Sequence, residues 1–282
     1  MMNVLYVGSN SDLSLLPLKS IIKSGFTLCA IATYDISRNE FSAITAGSIQ
    51  DVSLKNDIPI VNLDNCNEEI VEQVKHVQPD VILVSCFERL IPQSILSLAK
   101  KGAFNLHPSL LPAFRGPTPL FWQFKEGVDE FGVTIHRMND EFDTGAIVDQ
   151  KSFQMPEGIF VKQATELVAK EGCELILRFL HNLSQNKLVE KPQDENLSSY
   201  QSYPLIENYQ ISTSWPVKRI FNFISAYKES GVYFLCQEKD RDIKVTDVLS
   251  YNNDVGREKY ALEGDVATIT CDDGMIECKV LD

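Results

Sequence analysis

Asn105 and His107 stand two residues apart in Phe104-Asn105-Leu106-His107, a short run closed by Pro108. Side chains at i and i+2 of an extended strand leave the same face. An amide and an imidazole should therefore emerge side by side, at the carboxyl end of a strand expected to be parallel, which is where open α/β sheets place ligands. The amide supplies hydrogen-bond donors and the imidazole a titratable nitrogen, a pairing suited to stabilising and protonating an oxyanion. Taken alone the pair also has plainer readings, with Asn105 ending a strand in a turn and His107 as one packed histidine among four.

The elements around the pair can be read from periodicity. Residues 3–8 form an apolar run ending at Gly8, followed by polar cap residues and the leucines of a helix, so a strand, a turn and a helix are expected in that order. Phe26–Thr33 and Ile58–Leu63 repeat the strand pattern, and Val71–Val77 has helical spacing. Pro79 and Asp80 break that helix ahead of Val81-Ile82-Leu83-Val84, which is apolar on both faces, as in a central strand covered on each side. A helix opening at Pro92 is expected over 92–101, an amphipathic stretch near 118–126, a strand from Gly132 to Arg137, a polar turn from Asn139 to Gly145 and a long helix over 161–183. Strands alternating with helices imply right-handed βαβ units, hence a Rossmann-like α/β fold with a mostly parallel sheet and helices on both faces.

The polar stretch from Glu190 to Pro204 carries the strongest linker signal, which divides the chain into a catalytic domain at 1–189, a linker at 190–205 and a small domain at 206–282. In the last part a helix over Trp215–Tyr227 precedes four short strand-like runs broken by Asp, Asn and Gly. That spacing suggests a small OB-like β-barrel.

Composition narrows the function classes. The formal charge is −13, and the segments before and after residue 206 are both net acidic, which opposes steering towards a phosphate backbone. The first residues lack a basic region and a cleavage site, and no apolar run approaches the roughly 20 residues of a membrane span. Seven scattered cysteines without a C-x-x-C pair argue against a disulfide framework or zinc knuckle and fit a reducing cytoplasm. No metal-ligand spacing is present. Gly8 lacks the G-x-G-x-x-G continuation of a dinucleotide site, His136 and His76 read as structural histidines, and Trp122 and Trp215 read as core.

Three blocks in order, Phe104-Asn-Leu-His-Pro-Ser-Leu-Leu-Pro-Ala-Phe-Arg-Gly116, Gly132-Val-Thr-Ile-His-Arg-Met138 and Phe142-Asp-Thr-Gly-Ala-Ile-Val148, resemble the folate-dependent formyltransferase family. The resemblance covers residues 3–183 and continues more weakly towards 282. A C-terminal barrel follows the catalytic domain in methionyl-tRNA formyltransferase and in the formyltransferase part of the bifunctional aminoarabinose enzyme. The resemblance implies that 10-formyltetrahydrofolate is the cosubstrate and that Asn105, His107 and Asp143 are catalytic; carbonyl chemistry then asks for a protonated imidazole oriented by Asp143, with no metal needed. It further implies that Cys86, Phe87, Arg89, Leu90 and Ile91 belong to the loop that cups the pterin. Ser109, Arg115 and Gly116 would lie in the loop flanking donor and acceptor.

The acceptor expected is a small-molecule amine, that of an amino-sugar nucleotide. The segment from Asp35 to Ala46, where the tRNA enzyme carries a basic insertion, holds only Arg38 as a cation. The C-terminal helix departs from the aminoarabinose enzyme, since Ser225–Gly231 lacks its Pro-Trp-Pro-Gly pattern. The alternative acceptor is the initiator tRNA of a methionyl-tRNA formyltransferase. Two other classes remain open: a folate-binding module without catalysis, and a hydrolase that uses water. A homodimer is compatible with the sequence, and no membrane partner is expected.

Overall fold

The central strand of a computed structural model of the chain is β4 (Val81–Ser85), buried at every residue because apolar side chains leave both of its faces. The structure describes residues 2–34, 47–238, 241–256 and 260–281. The segment from Asp35 to Ala46 lies outside the described residues. Around β4 runs a seven-stranded sheet ordered β3-β2-β1-β4-β5-β6-β7, with β1 at Asn3–Gly8, β2 at Thr27–Thr33, β3 at Ile60–Asn62, β5 at Ala103–His107, β6 at Phe131–Arg137 and β7 at Ile147–Phe153. The strands from β3 to β5 pair in parallel, and β6 runs antiparallel to β5. The sheet is thus mostly parallel and flanked by helices.

Local chemistry sets the helices. In α1 (Asp12–Ser24), Pro17 lacks the N–H that Leu13 O would otherwise receive, and Ser85 Oγ donates to that carbonyl at 2.6 Å instead. Helix α2 (Ile49–Asn56) opens on a capping box between Ser48 and Asp51. Helix α3 (Glu68–Val77) opens on Asn67, whose side chain accepts from the Ile70 N–H. Helix α4 (Gln93–Leu96) is shorter than the expected 92–101. Past it the backbone turns so that Lys101 N–H reaches Asp80 O at 2.7 Å. Helices α5 (Pro119–Glu126) and α6 (Val161–Ser184) agree with the periodicity. Strand β7 escaped the pattern, because Ile147-Val-Asp-Gln-Lys-Ser-Phe153 is half-buried at every residue but the exposed Ser152 rather than alternating.

The chain divides into two compact units. The first comprises Met1–Pro117, Gly132–Phe153 and Thr165–Gln201, and the second Thr118–Phe131, Gln154–Ala164 and Ser202–Asp282. The second unit therefore also draws on two segments from the middle of the chain. Its sheet has six strands, ordered β11-β12-β13-β10-β9-β8: β8 (Gln210–Ile211), β9 (Phe234–Glu238), β10 (Arg241–Asn252), β11 (Tyr260–Glu263), β12 (Val266–Cys271) and β13 (Gly274–Leu281). Helix α7 (Val217–Tyr227) begins just after Pro216, two residues later than expected. Phe121, Tyr209, Phe223 and Phe234 gather in the same unit with ring centroids 5.2 to 5.7 Å apart across successive pairs, a spacing favourable for edge-to-face packing. Among the described residues, no helix is long and apolar enough to cross a membrane.

Candidate active site

Asn105 and His107 occupy the end of β5, which pairs on its other edge with β6 so that Asn105 faces His136 and His107 faces Thr134. Directly paired residues project to the same face of a sheet, so the imidazole of His136 joins the expected pair. Asp143 reaches the same place from the turn between β6 and β7. Its Oδ1 lies 3.4 Å from Asn105 Nδ2, 3.5 Å from His107 Nδ1 and 3.3 Å from His136 Nε2, and its Oδ2 accepts the Gly116 N–H at 2.9 Å. One carboxylate thus gathers an amide, two imidazoles and a backbone donor.

Asp143 holds this position in the left-handed region, at φ 58°, which costs a non-glycine residue about 1 kcal/mol. Two glycines make the approach feasible. A Cβ on Gly145 would sit 1.8 Å from Arg137 O, and one on Gly116, at φ +112°, would sit 2.1 Å from Gln201 O.

The two imidazoles are oriented by carbonyls. His107 Nε2 lies 2.9 Å from Phe114 O, and His136 Nδ1 lies 2.9 Å from Arg137 O. A carbonyl only accepts, so each of these nitrogens carries the hydrogen. In a neutral ring the other nitrogen is then bare, and for both histidines that nitrogen faces Asp143. Asn105 Nδ2 bridges His136 Nε2, at 3.3 Å, and Asp143. The opposite amide orientation would set an oxygen against the carboxylate.

Burial, the larger effect, pushes the His107 imidazole below the ordinary histidine value, although Asp143 pulls the other way. That direction favours the neutral ring as the resting form. Burial also opposes ionisation of Asp143, yet attraction to the His107 and His136 rings in their cationic forms and the Gly116 N–H together outweigh it. The carboxyl stays well below the usual carboxylate range. The arrangement is a fixed negative charge beside an imidazole nitrogen with an open lone pair, so a proton delivered to His107 Nδ1 is stabilised where it arrives.

The remaining expected site residues have separate surroundings. Ser109 is fully buried and its hydroxyl donates to Ala113 O at 2.8 Å, a bond that closes the loop on itself. Arg115 is 6% exposed, paired with Glu195 at 2.8 Å and with Gln193 Oε1, so it is not a free cation in the loop. Arg89 pairs with Asp64 at 2.7 Å and lies over the Tyr34 ring, which meets Phe87 edge-on at 5.4 Å. Cys86 is in the left-handed region at φ 51° and Leu90 is exposed. Ile91 is 4% exposed and packs in the core with Val84 and Ile95.

His136 and Gln193 were not expected in the site. The strand reading of Gly132–Arg137 could have suggested His136, had β6 been placed antiparallel beside β5. Nothing in the polar stretch around Gln193 signals its contacts. Among the described residues, no cluster of three or more His, Cys, Asp or Glu is arranged to hold a metal ion.

Residues 35–180 match the formyl transferase family, more than half of the chain. The chain belongs to that family and is an N-formyltransferase. It is 26% identical to a methionyl-tRNA formyltransferase from Thermotoga maritima, over 99% of this chain and 90% of that protein. It is 33% identical to one from Chlorobium chlorochromatii, over 71% of this chain and 65% of that protein. Among solved structures, an N-formyltransferase from Helicobacter canadensis in complex with folinic acid and dTDP-3-aminofucose has the same fold, with a TM-score of 0.74 at 20% identity over 99% of each chain. WlaRD, a sugar 3N-formyl transferase, gives a TM-score of 0.73 at 20% identity, over 100% of this chain and 98% of that one.

Proposed function

We propose that this enzyme transfers the formyl group of 10-formyltetrahydrofolate to the amine of an amino-sugar nucleotide, with Asn105, His107 and Asp143 at the reacting centre and His136 supporting them. The convergence of these groups on Asp143 carries the reading. The cosubstrate is a folate. A neutral acceptor amine attacks the formyl carbon, a new C–N bond forms, and the bond from that carbon to folate N10 breaks. Asn105 Nδ2–H contacts at 3.3 and 3.4 Å are long enough to be exchanged for a closer, charge-assisted bond to the formyl oxygen as negative charge builds there. His107 Nδ1 takes the proton that the amine sheds, Asp143 stabilises the resulting cation, and the proton passes on to the departing N10. The loop from Cys86 to Leu90, with Phe87 and Arg89, would border the pterin.

Two observations support a small acceptor. The chain matches sugar N-formyltransferase structures over nearly its whole length, and a net charge of −13 opposes the polyanionic surface of a tRNA. The second sheet is read as OB-like on the strength of β10, which pairs with both β9 and β13 and has two register shifts along β13 that allow a strand to curl.

The curated sequence relatives favour initiator tRNA as a second reading. The two are separated by measuring tetrahydrofolate release with dTDP-linked 3-amino sugars and with charged initiator tRNA, alongside filter binding of the tRNA across a salt series. Turnover with an amino-sugar nucleotide and weak tRNA binding is expected. Tight tRNA binding that falls steeply with salt, with formylation of the charged tRNA, would replace the sugar as acceptor.

A further inference from the structure

Residues 190–205 look like a linker by composition, yet Gln193 spends its whole amide on the catalytic loops. Its Nε2 donates to Asp143 O and to Gly145 O, each at 2.7 Å. Its Oε1 accepts from Arg115 Nε at 3.1 Å and Nη2 at 2.8 Å. The two carbonyls flank Thr144, so the amide closes the turn that carries Asp143 in its left-handed conformation. From the far side Gly116 N–H fixes the Asp143 carboxylate, and Gly116 directly follows Arg115. Gln193 therefore links the backbone of the Asp143 turn to the loop that supplies the carboxylate's donor.

The chain just beyond it reinforces this link. Ser199 Oγ accepts the Phe114 N–H at 2.8 Å and Ser199 O accepts the Arg115 N–H at 2.9 Å. Phe114, at φ 61°, presents the carbonyl that sets the His107 tautomer.

We propose that Gln193 is a positioning residue for formyl transfer, holding Asp143 at His107 through its two hydrogen bonds to the turn while bracing Arg115. A glutamine suits the position because its amide donates at one end and accepts at the other. A glutamate would keep the acceptor for Arg115 but present no donor to the two carbonyls.

The proposal rests on the reading of Asp143 given above, and Asp143→Asn serves as the reference variant. Gln193→Ala and Gln193→Glu are compared with it by tetrahydrofolate release using 10-formyltetrahydrofolate and a dTDP-linked 3-amino sugar, with thermal melts of each protein. Displacing a reacting group by about 1 Å costs on the order of 10²-fold. Both Gln193 variants are therefore expected to lose roughly 10- to 100-fold in kcat with little change in the KM for 10-formyltetrahydrofolate. Gln193→Glu should lose this much even with a melting temperature close to that of the unaltered enzyme.

Restored turnover in Gln193→Glu alone would overturn the proposal, since the residue would then only anchor Arg115. Full turnover in both, with Asp143→Asn impaired, would also overturn it. Full turnover in Asp143→Asn would instead remove the reading of Asp143 on which it rests, and the proposal with it. A second measurement needs no acceptor: the imidazole ¹⁵N shifts of His107 in Gln193→Ala should move in the direction seen for Asp143→Asn. Shifts unchanged from the unaltered enzyme would refute the role.

Discussion

Replacing Asp143 by Asn keeps the size of the side chain and an oxygen to accept the Gly116 N–H, removes the charge, and puts an NH2 donor where Oδ1 faced the two imidazoles. Asp143 Oδ1 stands 3.5 Å from His107 Nδ1, the nitrogen that becomes protonated during transfer. Two unit charges about 4 Å apart interact by roughly 4 kcal/mol at an effective dielectric constant of about 20. Losing that attraction in the transition state, at about 1.4 kcal/mol per factor of ten, corresponds to roughly 10³ in rate. Part of the loss is offset because the neutral amide still orients the loop, so kcat should fall roughly 10²- to 10³-fold with a small change in KM. The assay is steady-state release of tetrahydrofolate under saturating 10-formyltetrahydrofolate and acceptor, with a thermal melt to confirm folding. A folded Asp143→Asn enzyme with unaltered kcat would show that the carboxylate's charge plays no part in the proton transfer.

The depressed titration of His107 also has a consequence for stability. Between the folded value and the ordinary value near 6.5, the unfolded chain binds more protons than the folded one, so stability should fall as the pH drops below about 6.5. Urea unfolding across that range should show the decline, and His107→Gln should flatten it. Asp143 acts in a different window. Its carboxyl is depressed, so its contribution is present above the ordinary Asp value of about 3.9 and is lost only as the pH falls through its much lower folded value. Gly145→Ala places a Cβ 1.8 Å from Arg137 O, and forcing the turn apart should destabilise the protein by about 2 kcal/mol or more; denaturant midpoints measure it, and an unchanged midpoint would show that the turn yields freely.

Much of the catalytic fold was legible because its signals are local. Val81-Ile82-Leu83-Val84 declares a strand covered on both faces, and strand alternation alone places Asn105 beside His107. The turn from Asn139 to Gly145 was visible in its polar residues. The motif blocks from Phe104 to Val148 carried the resemblance to the formyltransferase family.

Other features depend on partners that no local pattern names. His136 enters the site only because β6 lies antiparallel to β5 in the register that pairs it with Asn105. The lowered titration of His107 follows from burial, a property of everything packed around the ring. The hydrogen bonds from Gln193 to the Asp143 turn, 50 and 48 residues away in sequence, are invisible to composition, which reads a polar stretch as a linker. Residue types and their periodicity determined the strands, the helices and the chemistry available at the end of β5. Only the tertiary structure decided which groups share Asp143, which imidazole nitrogen turns to the carboxylate and what holds the carboxylate there, because each depends on distance and desolvation between segments far apart in the chain.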